Sequence, residues 1–191
     1  MVISSSAIKR MDVVVIDDSA RMRQLLASLL RDLGCYSVRP FENVDEACVA
    51  IENKRPSMVL CDWQMATADG GVFLDRIRCA PDDRIASTPV VVVTGHGSRD
   101  ILLESMKKGA TQFLVKPVVP GELLKKMAFA LNDDREMVRR NGRLVYMPPK
   151  KKVRQKAARA KNRQRPALSR NTVALQASVS KAKTDADVWE L

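Results

Sequence analysis

The sequence contains few aromatic residues, a single histidine and no long apolar run. Aromatic residues make up 4% of the 191 residues. No stretch reaches the roughly 18 consecutive apolar residues that a membrane-spanning helix requires, and the first residues, MVISSSAIKRMD, lack the apolar core of a secretory signal peptide. These absences argue against a membrane span and against secretion, and we expect a cytoplasmic protein.

Cysteine is also sparse, and its spacing argues against the short metal-binding and redox motifs. Cys35, Cys48, Cys61 and Cys79 are far apart in the chain, and no two of them form a CxxC pair. Zinc sites and thioredoxin-like motifs depend on such pairs. We therefore expect reduced thiols that pack as small apolar side chains.

Acidic residues are scarce only in the last third of the chain. Residues 1–131 carry 17 basic and 16 acidic residues, whereas residues 132–191 carry 16 basic and 6 acidic residues. The net charge of +11 therefore resides almost entirely in the carboxy-terminal part. This asymmetry divides the chain into a domain over 11–131 and a flexible basic tail with an acidic aromatic end over 150–191. Between them, we predict a helix extension and linker over 132–149, which Pro148–Pro149 closes.

Apolar, β-branched runs alternate with helical patterns over residues 1–131. Between these runs, apolar side chains recur at helical spacing, for instance in 25–33 and 123–131. Five β–α units in succession indicate an α/β fold with a parallel sheet and helices on both faces. Right-handed connections favour the flavodoxin-like strand order 2-1-3-4-5. The predicted strands are 12–16 (DVVVI), 36–40 (YSVRP), 57–61 (SMVLC), 89–94 (PVVVVT) and 112–115 (QFLV).

Acidic, hydroxyl and ammonium groups stand at the carboxyl ends of these strands. Asp17 and Asp18 follow the first strand, and Asp62 follows the third, which the predicted order places beside the first. Thr94 ends the fourth strand, and Lys116 follows the fifth. Clustered carboxylates can bind a divalent cation such as Mg²⁺, and a hydroxyl and an ammonium can hold phosphoryl oxygens. The set therefore suits reversible phosphorylation of an aspartate.

Residues 12–131 resemble the receiver domain of response regulators in bacterial two-component signalling. Four segments carry the resemblance: DDS at 17–19, LCDWQM at 60–65, VVVVTG at 90–95 and FLVKP at 113–117. The resemblance implies a switch that takes a phosphoryl group from a histidine kinase or a phosphotransfer protein and then changes its binding to a downstream protein. It implies a phospho-acceptor regulator rather than an enzyme.

The same resemblance implies a metal site around the acceptor. Asp62 matches the phospho-acceptor, and Asp17 and Asp18 match the acidic pair that binds Mg²⁺ together with it. The backbone carbonyl of Gln64 falls where the family supplies a further ligand. Gln64 and His96 also occupy two variable positions that tune self-dephosphorylation in the family.

Three further residues match the phosphoryl-binding and switch positions of the family. Thr94 matches the switch hydroxyl, Lys116 the lysine of the site and Phe113 the aromatic switch position. The resemblance also implies that the Lys116–Pro117 bond is cis, as is common in the family. Without a phosphoryl group, we expect Lys116 to pair with an acid of the site.

Two enzyme classes with related sheets stay open as alternatives. An aspartyl-phosphate hydrolase of the haloacid dehalogenase type usually carries Asp-x-Asp after its first strand, whereas here the two acids are adjacent. A flavodoxin needs a loop rich in hydroxyls and glycine at that place to hold the flavin phosphate. The segment DDSARM would repel such a phosphate.

The basic segment 150–170 is open to several interpretations. It could bind nucleic acid without sequence preference, bind an anionic membrane surface or an acidic protein, or serve only as a solvated linker. It contains no aromatic residue that could stack on a base. In one alternative, this tail is the effector of a nucleic-acid-binding response regulator. The acidic end DVWEL at 187–191 resembles a short docking peptide.

Overall fold

A five-stranded parallel sheet forms the centre of the protein. The computed structural model describes residues 5–66 and 68–147. The strand order is β2-β1-β3-β4-β5, which confirms the predicted order and the α/β class. The strands are β1 (Asp12–Ile16), β2 (Ser37–Phe41), β3 (Met58–Asp62), β4 (Val90–Thr94) and β5 (Gln112–Val115).

The three central strands are buried on both faces, which explains their nearly continuous apolar sequence. Every residue of β1, β3 and β4 is buried. β-Branched side chains pack well on a pleated surface that is covered on both sides. The edge strands β2 and β5 are only partly buried. Pro40 lies in β2 and has no backbone N–H to donate. An edge strand tolerates this loss, because one of its sides has no neighbouring strand.

Helices connect consecutive strands, and most of them begin at a polar cap. Ser19, Asn43, Asp69 and Ser98 each accept a hydrogen bond from a backbone N–H in the first turn of the following helix. Two single-turn helices, too short for apolar periodicity to indicate, are α1 (Ser5–Ile8) and α5 (Asp83–Ala86). The helices that cover the sheet are α2 (Ala20–Asp32), α3 (Val44–Asn53), α4 (Gly70–Arg78), α6 (Arg99–Lys107) and α7 (Pro120–Leu131).

The core consists of two apolar layers, one on each face of the sheet. Side chains of α2 and α7 pack against one face, and side chains of α3 and α4 pack against the other. The first layer includes Leu26, Leu30, Leu123 and Met127. The second layer includes Ala47, Ile51, Phe73, Leu74 and Ile77.

Residues 132–147 do not extend the last helix, and that prediction is wrong. Helix α7 ends at Leu131, and β6 (Met137–Arg140) pairs with β7 (Arg143–Tyr146) in an antiparallel hairpin. The turn residues Asn141 and Gly142 have φ values of 50° and 78°. Two consecutive positive φ values are typical of the two-residue hairpin turn that Asn-Gly favours. The apolar spacing on either side of this dipeptide therefore encodes strands.

The predictions for the tail at 150–191, including its DVWEL end, lie outside the described residues. The same holds for the Pro148–Pro149 end of the predicted linker. Within 5–66 and 68–147, no helix combines the length and the apolar character that crossing a bilayer requires.

Candidate functional site

Three carboxylates meet at the carboxyl edge of the sheet. Asp17 follows β1 and Asp62 ends β3, and these two strands are neighbours. Asp17 is fully buried, Asp62 is 5% exposed and Asp18 is exposed. One oxygen from each of the three side chains lies within 4.8 Å of the others. We call these three residues the acidic crevice, and their mutual repulsion favours a bound cation.

Backbone amides and an arginine hold the acidic crevice in place. The Ser19 amide donates to Asp17 Oδ1 at 2.9 Å, and the Ala66 amide donates to Asp18 Oδ2 at 2.8 Å. Arg23 donates to the backbone carbonyls of Asp17 and Asp18 at 2.8 and 3.0 Å. Arg23 was not among the predicted site residues. Its place in the first turn of α2, just after the acidic pair, is the signal that could have identified it.

Lys116 supplies a positive charge between two of the carboxylates. Its ammonium lies 2.9 Å from Asp17 Oδ2 and 2.8 Å from Asp62 Oδ2, so the expected pairing with an acid is present. Burial raises the pKa of Asp62, and the hydrogen bond from Lys116 opposes this rise only in part. Burial alone would lower the pKa of Lys116, but the hydrogen bonds to Asp62 and Asp17 raise it overall.

Thr94 lies at the same edge of the sheet, at the end of β4. Its side chain is fully buried, and its Oγ1 accepts a hydrogen bond from the His96 amide at 3.1 Å. The Lys116 amide donates to the Thr94 carbonyl at 2.7 Å. This bond ties the end of β4 to the residue that bridges the carboxylates. The Lys116–Pro117 peptide bond is cis.

Phe113 does not lie in the acidic crevice. It faces Val92 in the register of β4 and β5, and it is partly buried. Its ring packs against the apolar layer that includes α3 and α4. A switch role for Phe113 stays a prediction.

Gln64 and His96 join the loops that follow β3 and β4. Gln64 Oε1 lies 2.7 Å from His96 Nδ1, and both side chains are exposed. The Gln64 amide also donates to Asp62 Oδ1 at 3.4 Å, which keeps this backbone segment beside the carboxylate. The sequence places both residues after strand ends, but a contact between two loops has no local signal in the sequence.

Gly70 allows the first turn of α4 to approach Asp62 closely. A Cβ atom at this position would lie 2.6 Å from the Asp62 carbonyl oxygen and 3.1 Å from the Trp63 Cα. Both of these are backbone atoms, so no side-chain rotation could relieve the clash. Gly70 was not among the predicted site residues, although the Gly70–Gly71 pair after an N-cap aspartate was a readable signal.

The donor set of the acidic crevice fits a hard divalent cation. Its three side chains offer carboxylate oxygens, and Mg²⁺ prefers oxygen ligands and keeps part of its water shell. Because Asp18 is exposed, such waters can reach the crevice. The charge, the spacing and the type of ligand therefore suit Mg²⁺.

The fold and the crevice define a class of protein. A parallel sheet of order 2-1-3-4-5 carries acids at its switch point, with a hydroxyl and an ammonium at the same edge. The chain matches the family described as response regulator receiver domain over residues 13–128. It therefore belongs to this family, whose members are phospho-acceptor domains of two-component signalling.

Curated relatives cover the same part of the chain. The phosphate regulon transcriptional regulatory protein PhoB of Pseudomonas aeruginosa is 29% identical over 119 residues, or 62% of this chain and 51% of PhoB. The chemotaxis protein CheY-3 of Vibrio cholerae is 28% identical over 119 residues, or 62% of this chain and 90% of CheY-3. The chain thus spans about half the length of PhoB and most of CheY-3.

Solved structures agree with the fold. The chemotaxis protein CheY4 of Vibrio cholerae is 30% identical with a TM-score of 0.59, over 64% of this chain and 99% of that chain. NtrX from Brucella abortus, solved in complex with ADP, is 30% identical with a TM-score of 0.57. That match covers 64% of this chain and 27% of NtrX. The similarity to CheY4 spans nearly the whole of that protein.

Proposed function

We propose that this protein is a phosphorylation-controlled switch in which Asp62 accepts a phosphoryl group from a histidine kinase or a phosphotransfer protein. The observation that carries the proposal is the acidic crevice, whose carboxylate oxygens lie within 4.8 Å of one another. Asp17 has hydrogen bonds to both of its oxygens, from Ser19 and Lys116. Asp62 contacts Lys116 through Oδ2, while its Oδ1 accepts only a long bond of 3.4 Å among the described residues. Oδ1 is therefore the oxygen most available to attack phosphorus.

Asp17, Asp18, Asp62 and the backbone carbonyl of Gln64 would hold Mg²⁺. One ammonium leaves the three carboxylates with an excess of negative charge, so they would repel an anionic donor. When bound, Mg²⁺ supplies the positive charge that offsets this repulsion.

Phosphoryl transfer then consists of one exchange of bonds. Asp62 Oδ1 forms a bond to phosphorus while the bond between phosphorus and the donor imidazole nitrogen breaks. The imidazole keeps the electron pair and takes a proton from water. Lys116, already 2.8 Å from Asp62 Oδ2, neutralises the charge on the carboxyl group and on the incoming oxygens.

Thr94 and Phe113 are the proposed switch residues. Thr94 Oγ1 accepts from the His96 amide, and its own hydroxyl contact to the His96 carbonyl is long, at 3.5 Å. The hydroxyl proton is therefore free to turn toward a phosphoryl oxygen on Asp62. Phe113 would follow this movement, and the local change would be read by a partner.

The proposed output is a change in binding to a downstream protein. Apolar side chains lie exposed on α6, at the end of β5 and just before α7. Exposed apolar groups of this kind suit a protein partner. They are Leu102, Leu103, Val115 and Val119.

The basic segment 150–170 supports a second candidate function. Its charge would favour nonspecific nucleic acid or an acidic partner surface, with the receiver domain controlling that binding. We place both functions in the cytoplasm, since the phosphoryl donors of two-component systems act there. Salt-sensitive DNA binding that survives removal of 141–191 would exclude the tail as effector.

Intact mass spectrometry tests the acceptor. The full chain is incubated with acetyl phosphate and Mg²⁺, beside the Asp62→Asn variant and a sample without metal. We expect a gain of one phosphoryl group that requires both Mg²⁺ and Asp62. A gain that persists in Asp62→Asn would exclude Asp62 as the acceptor.

A further inference from the structure

Helix α6 is the least deeply packed of the five helices that cover the sheet. Its nine residues include one buried residue, Ser105, whereas the nine residues of α4 include six. Leu102 and Leu103 of α6 are 38% and 44% exposed. Elements that bury little apolar surface move at the lowest cost in free energy. A local change at the site would therefore displace α6 before its neighbours.

The amino end of α6 is joined to the proposed switch hydroxyl. Thr94 ends β4, and α6 begins at Arg99 after the N-cap Ser98. Thr94 Oγ1 accepts the hydrogen bond of the His96 amide. When Thr94 Oγ1 itself moves toward a phosphoryl group on Asp62, its distance from the His96 amide grows, so residues 95–98 and the first turn of α6 must readjust.

The carboxyl end of α6 is held by the β6–β7 hairpin. Arg143 of β7 donates to the Lys108 carbonyl at 2.5 Å, and it also pairs with Asp75 of α4. The Lys108 ammonium binds the same Asp75 carboxylate at 2.5 Å. Any shift of α6 along its axis therefore strains contacts made by the hairpin.

The hairpin and Arg135 just before it also hydrogen-bond to Thr111, at the far end of the turn that follows α6. The Tyr146 hydroxyl lies 2.9 Å from Thr111 Oγ1, and Arg135 donates to the Thr111 carbonyl at 3.0 Å. The Arg135 guanidinium stacks over the Tyr146 ring at 4.0 Å. Leu144 of β7 is itself buried. The turn at 108–111 is thus bound by the hairpin at both of its ends.

We propose that docking of the β6–β7 hairpin is coupled to phosphorylation of Asp62, with α6 and the turn at 108–111 as the connecting element. This coupling rests on the proposed function. Phosphorylation draws Thr94 toward Asp62, α6 shifts, and the bonds of Arg143 and Tyr146 to the turn weaken. The hairpin precedes the basic segment in the sequence, so it is the element through which the site would act on that segment.

Hydrogen exchange of the full chain, with intact mass read on the same samples, tests the coupling. Amides of 137–147 are followed with Mg²⁺ alone and with Mg²⁺ plus acetyl phosphate, in the native protein and in Asp62→Asn. We expect phosphorylation to speed exchange in the hairpin about fivefold or more, the lower end of allosteric couplings. Asp62→Asn should show no such change.

Two matched variants separate coupling from a purely structural role. Tyr146→Phe removes the hydroxyl bonded to Thr111 but keeps the ring under Arg135. Its hairpin should exchange faster before phosphorylation, and the increase on phosphorylation should shrink. Arg140→Ala changes an exposed arginine of the same hairpin whose described contact is a long one to Met147, and it should keep the full increase.

The outcomes distinguish the two proposals. A phosphoryl gain with unchanged hairpin exchange overturns the coupling and leaves the proposed function intact. If phosphorylation speeds hairpin exchange equally in the native protein and in Tyr146→Phe, the contact between Tyr146 and Thr111 does not carry the coupling. The absence of any phosphoryl gain, from acetyl phosphate and from a phosphorylated histidine donor alike, removes the proposed function and, with it, the coupling.

Discussion

The two edges of the central sheet use charged residues in opposite ways. At the carboxyl edge, three carboxylates face a single ammonium, and one oxygen of each lies within 4.8 Å of the others, a spacing that suits a shared cation. At the amino edge, each of three arginines pairs with a carboxylate and also donates to a backbone carbonyl: Arg135, Arg139 and Arg143. At the carboxyl edge, the charged groups form a cluster that can bind a ligand. At the amino edge, each of these arginines is already paired within the fold.

Arg78 is the extreme case at the amino edge. Its side chain is fully buried and donates to the carbonyls of Ala86, Thr88 and Gly109 at 2.5 to 3.0 Å. Burial lowers the pKa of Arg78 to about 10, so it stays charged at neutral pH. Four donated bonds offset the cost of burying this charge.

The largest expected effect is on stability, from Arg78→Ala. The change leaves three buried carbonyls without their donor, at about 1 to 3 kcal/mol for each. We expect the free energy of unfolding in urea to fall by about 3 kcal/mol or more. Arg84→Ala removes an exposed arginine and should leave it close to the native value. Similar losses in both variants would remove the contrast between the two edges.

The next effect concerns chemistry at the carboxyl edge. Lys116→Met removes the cation that contacts Asp17 and Asp62. We expect the rate of phosphoryl gain from acetyl phosphate, followed by intact mass, to fall about 100-fold, as when one transition-state donor is lost. Lys125→Met, at an exposed pair with Glu122, should react like the native protein. An unchanged rate in Lys116→Met would mean that Lys116 is only a structural partner of the acids.

A smaller effect is expected from Gly70→Ala. The added Cβ would meet the Asp62 carbonyl at 2.6 Å, so either α4 or the acceptor strand must move. We expect a loss of about 1 to 3 kcal/mol in urea unfolding, in the range of overpacking, with slower phosphorylation. Gly121→Ala is the control, because among the described residues no atom outside its own helical turn lies within 4 Å of a Cβ there. Native behaviour of Gly70→Ala would show that the loop after Asp62 absorbs the added atom.

The smallest effect is an acid dependence of the free energy of unfolding, produced by two carboxylates that pair with arginines in or next to the hairpin. Burial by itself would raise the pKa of Asp75, but hydrogen bonds from Lys108 and Arg143 lower it below the ordinary aspartate value. For Asp133, burial also acts to raise the pKa, but the hydrogen bonds from Arg135 outweigh burial and lower the pKa overall. The two carboxylates have lower pKa values in the folded state than in the unfolded state. They therefore stabilise the folded protein at pH values above the ordinary pKa of an aspartate. That contribution is lost as the pH falls through the folded values.

Urea unfolding at a series of pH values from about 6 to about 2 measures this loss. Stability should decline as the two carboxylates are protonated, and Asp75→Asn should flatten part of that decline. If the free energy of unfolding falls equally steeply with pH in the native protein and in Asp75→Asn, Asp75 does not contribute to the loss of stability in acid.

Much of the carboxyl edge could be predicted from the sequence, and much of the amino edge could not. The runs that became β1, β3 and β4 are apolar because both faces are covered, and their order follows from right-handed connections. Parallel strands end together, so the acids that follow β1 and β3 had to meet. Local patterns and one topological rule therefore suffice for this edge.

The amino edge depends on contacts between segments that are distant in the sequence. Arg78 looks like any helix-end arginine until α5 and the turn before β5 surround it. The Asn141–Gly142 dipeptide was a readable turn signal, but the segment was interpreted as a continuation of the preceding helix up to Pro148–Pro149. The partners of Arg143, at Asp75 and Lys108, follow from packing alone.

Locating the phosphoryl group tests the central claim most directly. After reaction with acetyl phosphate and Mg²⁺, borohydride reduction converts an aspartyl phosphate to homoserine, which peptide mass spectrometry assigns to one position. The account predicts homoserine at position 62 alone, dependent on Mg²⁺. Homoserine at position 17 or 18, or at no position in a chain that has gained a phosphoryl group, would contradict it.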